Sequence, residues 1–521
     1  MNRYIYVIVT IGFLMLWSSC RNDFDFSPST GTLQFSKDTV YLDTVFTNIG
    51  SSTFNLKVYN RSNKDILIPS IRLALGNSSN YRLNVDGIAG KTFENIPILA
   101  KDSLYVFVET TVDINNFANP DGRFLYTDQI EFDAGTNLQK VELVTLVQDA
   151  VFIYPNRDNT TKVIETLKLD INGDQIETDI QGRELLPSEL TFTNEKPYVI
   201  YGFAAVPNGK TLTINAGARV HFHENSGLLI SEGATLKVNG SLSSDQKLLE
   251  NEVIFESDRL EPDFADTPGQ WGTIWFFDGS LNNTINYATI KNGSIGILCD
   301  GNPNVATEKL KITNSQIYNN SSFGILGRNT SITAENVVIN NAGQAAFAGS
   351  FGGKYNVTHA TIANYWNGPR QFPALLLNNF ITDENNTAIV TDLTQANFNN
   401  CIIYGNDNPE ILLDEVEDAS VVFNFKFTNC LIRFDNTNNN TLKGPNYDLN
   451  DTNHYVGTIF NQDPYFKNTN LNQLIIGEKS AAINKALQTF ANQVPFDILN
   501  VNRTTTPDIG AYQHIVFPVE D

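Results

Sequence analysis

The chain has 521 residues, with 57 acidic and 35 basic side chains and a formal net charge of −22. This length suits two or more domains or one long solenoid. The acidic excess argues against nucleic acid or an anionic lipid surface as a partner, because phosphate recognition needs clustered Lys and Arg. We interpret the charge as a source of solubility, with an acidic, cation-binding surface as the alternative. Abundant Asn, Thr, Ile and Phe and little helical periodicity indicate an all-β protein.

The N-terminus carries an apolar run, residues 4–17, which is short for a membrane span and typical of a secretory signal peptide. The run leads through Leu-Trp-Ser-Ser to Cys20. This ending resembles the lipobox of bacterial lipoproteins, although Trp17 stands where that family prefers an aliphatic residue. The resemblance implies that Cys20 is lipidated and becomes the mature N-terminus. The alternative is an ordinary signal peptide with an incidental cysteine.

The predicted processing sets the location of the mature protein. We expect a signal peptide at residues 1–19 and a tether at residues 20–30. The lipid anchor would make a membrane the first partner of the protein. We therefore predict an outer-membrane lipoprotein that faces either the periplasm or the cell surface.

Residues 31–150 contain short, alternating β-prone runs at the spacing of a β-sandwich, joined by Gly, Asn and Asp turns. Residues 47–53 and 100–112 resemble two sequence patterns of the abnormal-spindle type of immunoglobulin-like domain. The resemblance implies a spacer or an interaction unit. Residues 151–197 are polar and mixed, and only Leu167, Leu169 and Ile171 alternate clearly. We interpret this stretch as a linker or an extra hairpin.

From residue 198 to residue 521 we predict a right-handed parallel β-helix with a C-terminal cap. A phrase recurs at irregular intervals: a small residue, an isoleucine two positions later and often an asparagine two positions after that. Stacked coils with loops of variable length produce such a repeat. An antiparallel sandwich with accidental similarity is the alternative. The repeated isoleucines are Ile290, Ile317, Ile339, Ile362, Ile403 and Ile432.

The repeat predicts which residues meet between neighbouring coils. Alternation along a strand places each isoleucine and its small residue on one face, which we expect to be internal. The asparagines that follow would form an amide ladder on a neighbouring column. These asparagines are Asn292, Asn319, Asn341 and Asn364. Phrases at Gly296-Ile297 and Gly324-Ile325 predict a second strand of the same coil. Cys299, Cys401 and Cys430 are expected to be buried free thiols.

Two further stretches carry a family resemblance. Residues 197–292 closely resemble uncharacterised Bacteroidota lipoproteins with a right-handed β-helix. Arg503 and the sequence Pro-Asp-Ile-Gly-Ala-Tyr at 507–512 resemble the terminal signature of many pectate-lyase-like β-helix proteins. These resemblances imply architecture and location and leave the activity open.

Candidate functional residues fall into two groups. His359 and Arg370 are the catalytic candidates, because a base beside the aromatic rings of Tyr365 and Trp366 would suit a sugar substrate. The alternative for His359 is a position in the ladder beside a long loop. The second group holds the ligand-binding candidates. They are Tyr365 and Trp366, and also Asp258, Arg259 and Glu261 of a charged segment before Trp271, with Asp263 and Asp266 nearby.

The sequence favours no cofactor and no metal site. The charged segment lacks a calcium-loop template. His221 and His223 share a strand face, but no third ligand lies nearby in the sequence.

Three functions remain open at this point. The first is an anchored β-helix that binds a glycan or another surface component without catalysis. The second is a polysaccharide lyase or glycoside hydrolase that acts in a groove on the solenoid. The third is a structural adhesin or assembly component, in which the immunoglobulin-like unit makes contacts with a surface protein. Whether the protein is an enzyme is undecided by its sequence.

Overall fold

The computed structural model describes residues 25–118, 122–171, 174–303, 308–435 and 442–518. Within these residues the protein is predominantly β-structure. It divides into two compact units, Met1–Asp149 and Ala150–Asp521. The predicted signal peptide and Cys20 lie outside the described residues.

The first unit is an immunoglobulin-like sandwich of two β-sheets. Its strands are β1 (Ser27–Pro28), β2 (Gln34–Phe35), β3 (Thr39–Phe46), β4 (Phe54–Tyr59), β5 (Ile66–Leu73), β6 (Tyr81–Val85), β7 (Ile88–Gly90), β8 (Thr92–Ile98), β9 (Ser103–Thr110), β10 (Arg123–Phe132) and β11 (Gln139–Gln148). One sheet has the order β1-β5-β10-β11-β3, with β8 paired to β5, and the other has the order β2-β4-β9-β6-β7. Alternate residues of the strands point into a shared apolar core.

The second unit is a parallel β-helix followed by a C-terminal segment. Its first strands are β12 (Val151–Ile153), β13 (Thr166–Ile171), β14 (Asp174–Glu184), β15 (Thr191–Phe192), β16 (Tyr198–Ile200), β17 (Phe203–Val206), β18 (Thr211–Asn215), β19 (Arg219–Phe222), β20 (Gly227–Ile230), β21 (Thr235–Asn239), β22 (Val253–Ser257), β23 (Ile274–Phe276), β24 (Asn283–Asn286), β25 (Ala288–Lys291) and β26 (Ile295–Asp300). The strands of the following coils are β27 (Leu310–Asn320), β28 (Phe323–Ala342), β29 (Ala345–Thr358), β30 (Thr361–Asn364), β31 (Leu375–Asn378), β32 (Phe380–Thr382), β33 (Ala388–Val390), β34 (Leu393–Asn399), β35 (Ile402–Gly405), β36 (Ile411–Asp414), β37 (Phe423–Thr428), β38 (Leu431–Ile432), β39 (Tyr455–Val456) and β40 (Ile459–Phe460). The C-terminal segment adds β41 (Phe466–Asn468), β42 (Gln473–Ile476) and the short helix α1 (Gln488–Gln493).

Equivalent strands of successive coils pair in parallel. One of the resulting parallel sheets contains the repeated isoleucines, and we name it the isoleucine sheet. Its strand order is β16-β19-β22-β25-β27-β28-β30-β35-β38-β40. Residues 151–197 contain the antiparallel hairpin β13–β14, and they also supply β12, β14 and β15, which pair in parallel with strands of the next coil.

The predicted isoleucine column is confirmed. Ile290 pairs with Ile317, and the register continues through the four later isoleucines of the repeat. All six are at most 1% exposed. Burial of one such side chain stabilises a fold by roughly 1.5–3 kcal/mol, so the column is a principal source of stability for the solenoid. The three described cysteines are buried free thiols, as predicted.

A second strand is also present at the predicted Gly-Ile phrases. Ile297 pairs with Ile325, and Ile325 pairs with Phe347. The glycine before Ile325 is required by close packing, since a Cβ atom at Gly324 would lie 2.5 Å from the carbonyl oxygen of Ala346.

The predicted amide ladder is only partly formed. Asn292, Asn319 and Asn341 all have left-handed backbone, with φ values of 67°, 58° and 52°. Asn341 Nδ2 donates to Asn319 Oδ1 at 3.2 Å. Asn364 does not continue the ladder, because its side chain instead bonds to the backbone N–H and carbonyl of Ala342.

A second column of left-handed residues lies at the opposite corner of the isoleucine sheet. It contains His359 among four asparagines, with φ between 48° and 54°. The residues directly before them are aligned in the parallel register. Asn tolerates this conformation better than most residues, which explains its repeated use. We name this the corner column, and its members are Asn314, Asn336, His359, Asn400 and Asn429.

The C-terminal segment, residues 463–515, folds back over the outer face of the isoleucine sheet. Leu474 and Ala511 pack against Val338 and Ala363 of that sheet. Ile509 packs farther along the same face. The Pro-Asp-Ile-Gly-Ala-Tyr signature is therefore a cover for the sheet.

Candidate functional site

The structure contains an open cleft beside the isoleucine sheet, with a volume of about 460 Å³. Its walls come from three parts of the β-helix unit: the loop 258–270, the loop after β30 and the C-terminal segment. Its floor includes Asn319 and Asn341 of the predicted asparagine column. The lining residues are Asp266, Pro268, Asn319, Asn341, Tyr365, Trp366, Asn367 and Asn470.

A hydrogen-bond network holds the floor of the cleft. Asn319 Nδ2 donates to Asp266 Oδ1 at 3.1 Å, and Asn319 Oδ1 accepts from Asn341 and from Asn472, at 3.2 and 3.1 Å. Asn341 Nδ2 also donates to Asn472 Oδ1 at 3.1 Å. Among the described residues, Asn341 Oδ1 and Asp266 Oδ2 accept no hydrogen bond. These two oxygens are therefore available to the hydroxyl groups of a ligand.

Trp366 supplies an aromatic wall. Its backbone carbonyl accepts a hydrogen bond from Asn406 Nδ2 at 2.8 Å. A Cβ atom at Gly343 would lie 3.3 Å from Trp366 Cζ2, and one at Gly368 would lie 3.0 Å from Nε1, so the indole packs over two residues that have no side chain. The indole N–H has no partner in the described part of the chain. A ring held in this way presents apolar surface and one free donor.

Tyr365 connects the cleft to the C-terminal segment. Its ring meets that of Phe466 edge to face, with centroids 6.1 Å apart. Burial raises the pKa of its hydroxyl. The backbone N–H of Tyr365 donates to Asn340 Oδ1 at 3.1 Å. Tyr365 therefore serves mainly to hold the wall of the cleft in place, and it offers a ligand little contact surface.

The three predicted ligand-binding residues of the charged segment do not line the cleft. Asp258 accepts from His223 Nδ1 at 2.8 Å. Arg259 pairs with Glu261 at 3.3 Å, and its guanidinium lies 3.8 Å from the ring centroid of Phe264. These contacts shape the loop 258–270, which reaches the cleft only through its later residues.

Arg370 lies in the wall behind the cleft and is unavailable to a substrate. Its side chain is 1% exposed, and it forms a bidentate pair with the fully buried Glu410, at 2.8 and 3.1 Å. Glu410 also accepts the backbone N–H groups of Ala374 and Asp407. The pair fastens the loop after β30 to the next coil.

His359 is separated from the aromatic pair. It is 0% exposed in the corner column, under the C-terminal segment. Its Nδ1 lies 3.3 Å from the carbonyl oxygen of Gly510, and its Nε2 lies 3.0 Å from Asn400 Nδ2. Burial, together with the charge of Arg503, holds the pKa of the imidazole well below its usual range. Both nitrogens are occupied, and neither faces the cleft that Trp366 lines.

A second polar group lies at β22 and its neighbours, where Glu252 directly precedes the strand and Glu256 lies on it. Burial raises the pKa of Glu252 to about 7. Thr289 Oγ1 donates to Glu252 at 3.3 Å. Burial alone would also raise the pKa of Glu256, but the charges of His221 and Lys291 outweigh it and hold the value below the usual range. Lys291 Nζ lies 2.9 Å from Glu256. The two carboxyl groups thus have pKa values that are shifted in opposite directions.

In the described ranges, no group of three or more His, Cys, Asp or Glu side chains is arranged to hold a metal ion. His221 and His223 have separate hydrogen-bond partners, the Ser257 carbonyl oxygen and the Asp258 carboxylate. None of the described helices has the length and apolar character of a membrane span.

Comparison with known proteins identifies no family. No protein-family model matches the chain, and no curated protein matches it. Among solved structures, the catalytic unit of a thermostable GH87 α-1,3-glucanase from Streptomyces thermodiastaticus has 11% identity and a TM-score of 0.23, with 73% of this chain and 79% of that chain covered. A PapD-like domain of human CEP192 has 11% identity and a TM-score of 0.15, with 24% and 89% covered. The Escherichia coli chaperone DraB has 11% identity and a TM-score of 0.16, with 29% and 80% covered. Similarities of this size carry no argument about activity.

Several residues of the cleft were not predicted from the sequence. Asn470 and Asn472 come from the returning C-terminal segment, and no local pattern places that segment beside Asn319. Outside the cleft, the sequence could have indicated Glu252 and Glu256, because they lie four residues apart in and just before one β-prone run, where alternate residues share a face.

Proposed function

We propose that this protein is a lipid-anchored extracytoplasmic protein of the Bacteroidota β-helix type, which binds a glycan in the cleft beside the isoleucine sheet without cleaving it. The observation that supports binding is the combination of the Trp366 ring, the free oxygens of Asn341 and Asp266, and the free indole N–H. Sugar rings pair an apolar face with hydroxyl groups, and this set of contacts suits both.

The distribution of carboxyl groups favours binding over hydrolysis at this cleft. Asp266 is the single carboxylate among its described lining residues. Glycoside hydrolysis generally uses two carboxyl groups on opposite sides of the scissile bond. The two catalytic candidates from the sequence, His359 and Arg370, are both buried outside the cleft.

The test is a glycan-array screen with the chain from Arg21 onward, followed by calorimetry on the best ligand. Trp366→Ala should weaken that binding about tenfold, because the stacking surface is lost. Tyr154→Ala is the matched control, since Tyr154 is 61% exposed and lies outside the cleft. Equal affinities of the wild type and Trp366→Ala would refute the cleft as the binding site.

A polysaccharide hydrolase or lyase is the second candidate function. The observation that favours it is the pair Glu252 and Glu256, whose pKa values are shifted in opposite directions. Such divergence is common in acid–base pairs. We expect no release of reducing ends or unsaturated sugars from neutral or uronic-acid glycans. Reproducible cleavage that Glu252→Gln abolishes would overturn the binding proposal in favour of catalysis.

A further inference from the structure

The sandwich unit has an unusual outer surface on the sheet β2-β4-β9-β6-β7. Leu104, Val106 and Val108 of the central strand β9 point into the core. Tyr105 and Phe107 therefore point outward, and they are 47% and 40% exposed. Their ring centroids are 6.0 Å apart, with 15° between the ring planes.

Tyr59 on β4 extends this surface, because its strand pairs with β9. We name the surface formed by Tyr59, Tyr105 and Phe107 the aromatic face. Neighbouring exposed aromatic rings on a central strand have no role in the sandwich core, since the core lies on the other side of the sheet. A contiguous exposed apolar surface of this kind is typical of a binding site.

Basic side chains surround the aromatic face. Lys57 Nζ lies 5.1 Å from the ring centroid of Tyr105 and 5.5 Å from that of Tyr59. The guanidinium of Arg61 lies 4.2 Å from the centroid of Tyr59. Lys101 Nζ donates to the carbonyl oxygen of Arg61 at 2.7 Å. Within the described part of the chain, none of these three cations forms an ion pair with a carboxylate.

Amide groups lie at the other end of the face. Asn55 on β4 and Asn84 on β6 are the neighbours of Phe107 in the sheet register. The Oδ1 atom of Asn84 is buried and has no hydrogen-bond partner. Glu109 is the nearest acid on the same strand, and it is engaged by Arg82 at 3.6 Å. Asn55 is exposed, so its amide is the one available to a ligand hydroxyl.

The local charge differs in sign from that of the whole chain. Residues 54–112 carry seven Lys and Arg against five Asp and Glu, whereas the formal net charge of the chain is −22. An otherwise acidic protein repels a polyanion, so a basic surface with exposed rings is the part of the described chain best suited to attract one.

We propose that the aromatic face binds an acidic polysaccharide. Tyr105 and Phe107 stack on sugar rings, Lys57 and Arg61, which lie against Tyr59, pair with carboxylate or sulfate groups, and Asn55 bonds to a hydroxyl group. This site is separate from the cleft, which would take a glycan through Trp366 and a carboxylate. The two sites differ in the charge that they recognise.

The experiment measures the affinity of the chain from Arg21 onward for polygalacturonate, a sulfated dextran and neutral dextran, at low and high salt. We expect the two polyanions to bind and neutral dextran not to bind. Tyr105→Ala should weaken polyanion binding about fivefold. Lys57→Gln should weaken it by a similar factor and reduce its dependence on salt.

The controls separate this site from others. Tyr41→Ala is the matched variant, because Tyr41 is 65% exposed on β3 of the other sheet, and it should bind polyanions as the wild type does. Trp366→Ala should also leave polyanion binding unchanged. An incorrect proposal for the cleft can therefore be distinguished from an incorrect proposal for the aromatic face. Absence of polyanion binding, or an unchanged affinity in Tyr105→Ala with an unchanged thermal melt, would overturn the proposal. Binding to phosphatidylglycerol vesicles without binding to either polysaccharide would assign the face to a membrane and also overturn it.

Discussion

At the residue scale, backbone conformation explains the corner column. Every member has positive φ, and His359 is the single histidine among its asparagines. Positive φ is costly for most side chains, whereas Asn and His are several-fold enriched there. His359 therefore follows a conformational rule of the solenoid, and its burial under the C-terminal segment removes it from any substrate.

The buried imidazole of His359 gives a pH prediction. Its pKa is lowered in the folded state, while an unfolded histidine titrates near 6.5. The unfolded chain therefore binds the proton first, so this stability contribution is present above about pH 6.5 and is lost as the pH falls below it. Because the unfolded state binds one more proton at this histidine than the folded state, the free energy of unfolding should fall by up to about 1.4 kcal/mol per pH unit.

The variant His359→Asn tests this assignment, because Asn occupies the equivalent position in neighbouring coils. We expect His359→Asn to be less sensitive to acid than the wild type between pH 6.5 and 5, measured by urea unfolding at each pH. His359→Ala should be destabilised at every pH, since alanine tolerates positive φ poorly. If the unfolding free energies of the wild type and His359→Asn change with pH in parallel, the imidazole of His359 is not buried in its neutral form.

At the scale of elements, the isoleucine sheet is held from inside by apolar packing. Ile317 is completely buried between Ile290 and Ile339. Ile317→Asp would bury a carboxylate without a partner, and we expect it to destabilise the β-helix by about 4 kcal/mol. Lys237→Asp on β21 is the control, because Lys237 is exposed and should tolerate the change. A melting temperature of Ile317→Asp within one or two degrees of the wild type would disprove the register.

The same sheet is held from outside by the C-terminal segment. Arg503 is 0% exposed, and its guanidinium donates to Asn336 Oδ1, to Gly510 O and to Ala511 O, at 2.9, 3.1 and 3.3 Å. Burial is the main reason that the pKa of Arg503 is lowered to about 10, so the side chain remains charged at neutral pH.

We predict that Arg503→Ala loosens this cover. Asn336 Oδ1 would lose its donor in a buried site, while Gly510 O and Ala511 O would keep only their contacts with His359 and the Ile498 N–H, at a total cost of about 3 kcal/mol. Limited proteolysis should cut the segment 485–515 faster in Arg503→Ala than in the wild type. Lys485→Ala, which removes an exposed side chain of the same segment, is the control. Unchanged cleavage in Arg503→Ala would mean that apolar packing alone retains the segment.

At the scale of the whole molecule, the predicted lipid anchor would decide where both proposed binding sites operate. Cys20→Ala should move the protein from the membrane fraction to the soluble fraction, because the predicted acyl chains provide the anchoring energy. Detergent partitioning measures this change, and Cys299→Ala is a control that keeps Cys20. Retention of Cys20→Ala in the membrane fraction would reject lipidation as the anchor.

The sequence by itself determined the coils, because side-chain alternation and the repeated isoleucine are local patterns that stacking must satisfy. It also predicted a sandwich fold for the first unit, where the same alternation is visible. The cleft depended on the tertiary structure, since Asp266, Asn319, Trp366 and Asn470 are far apart in the chain and meet only after the solenoid coils and its end folds back. Burial of His359 and Arg370 was likewise decided by the C-terminal cover and by Glu410, because exposure depends on contacts between distant segments, which no local pattern specifies.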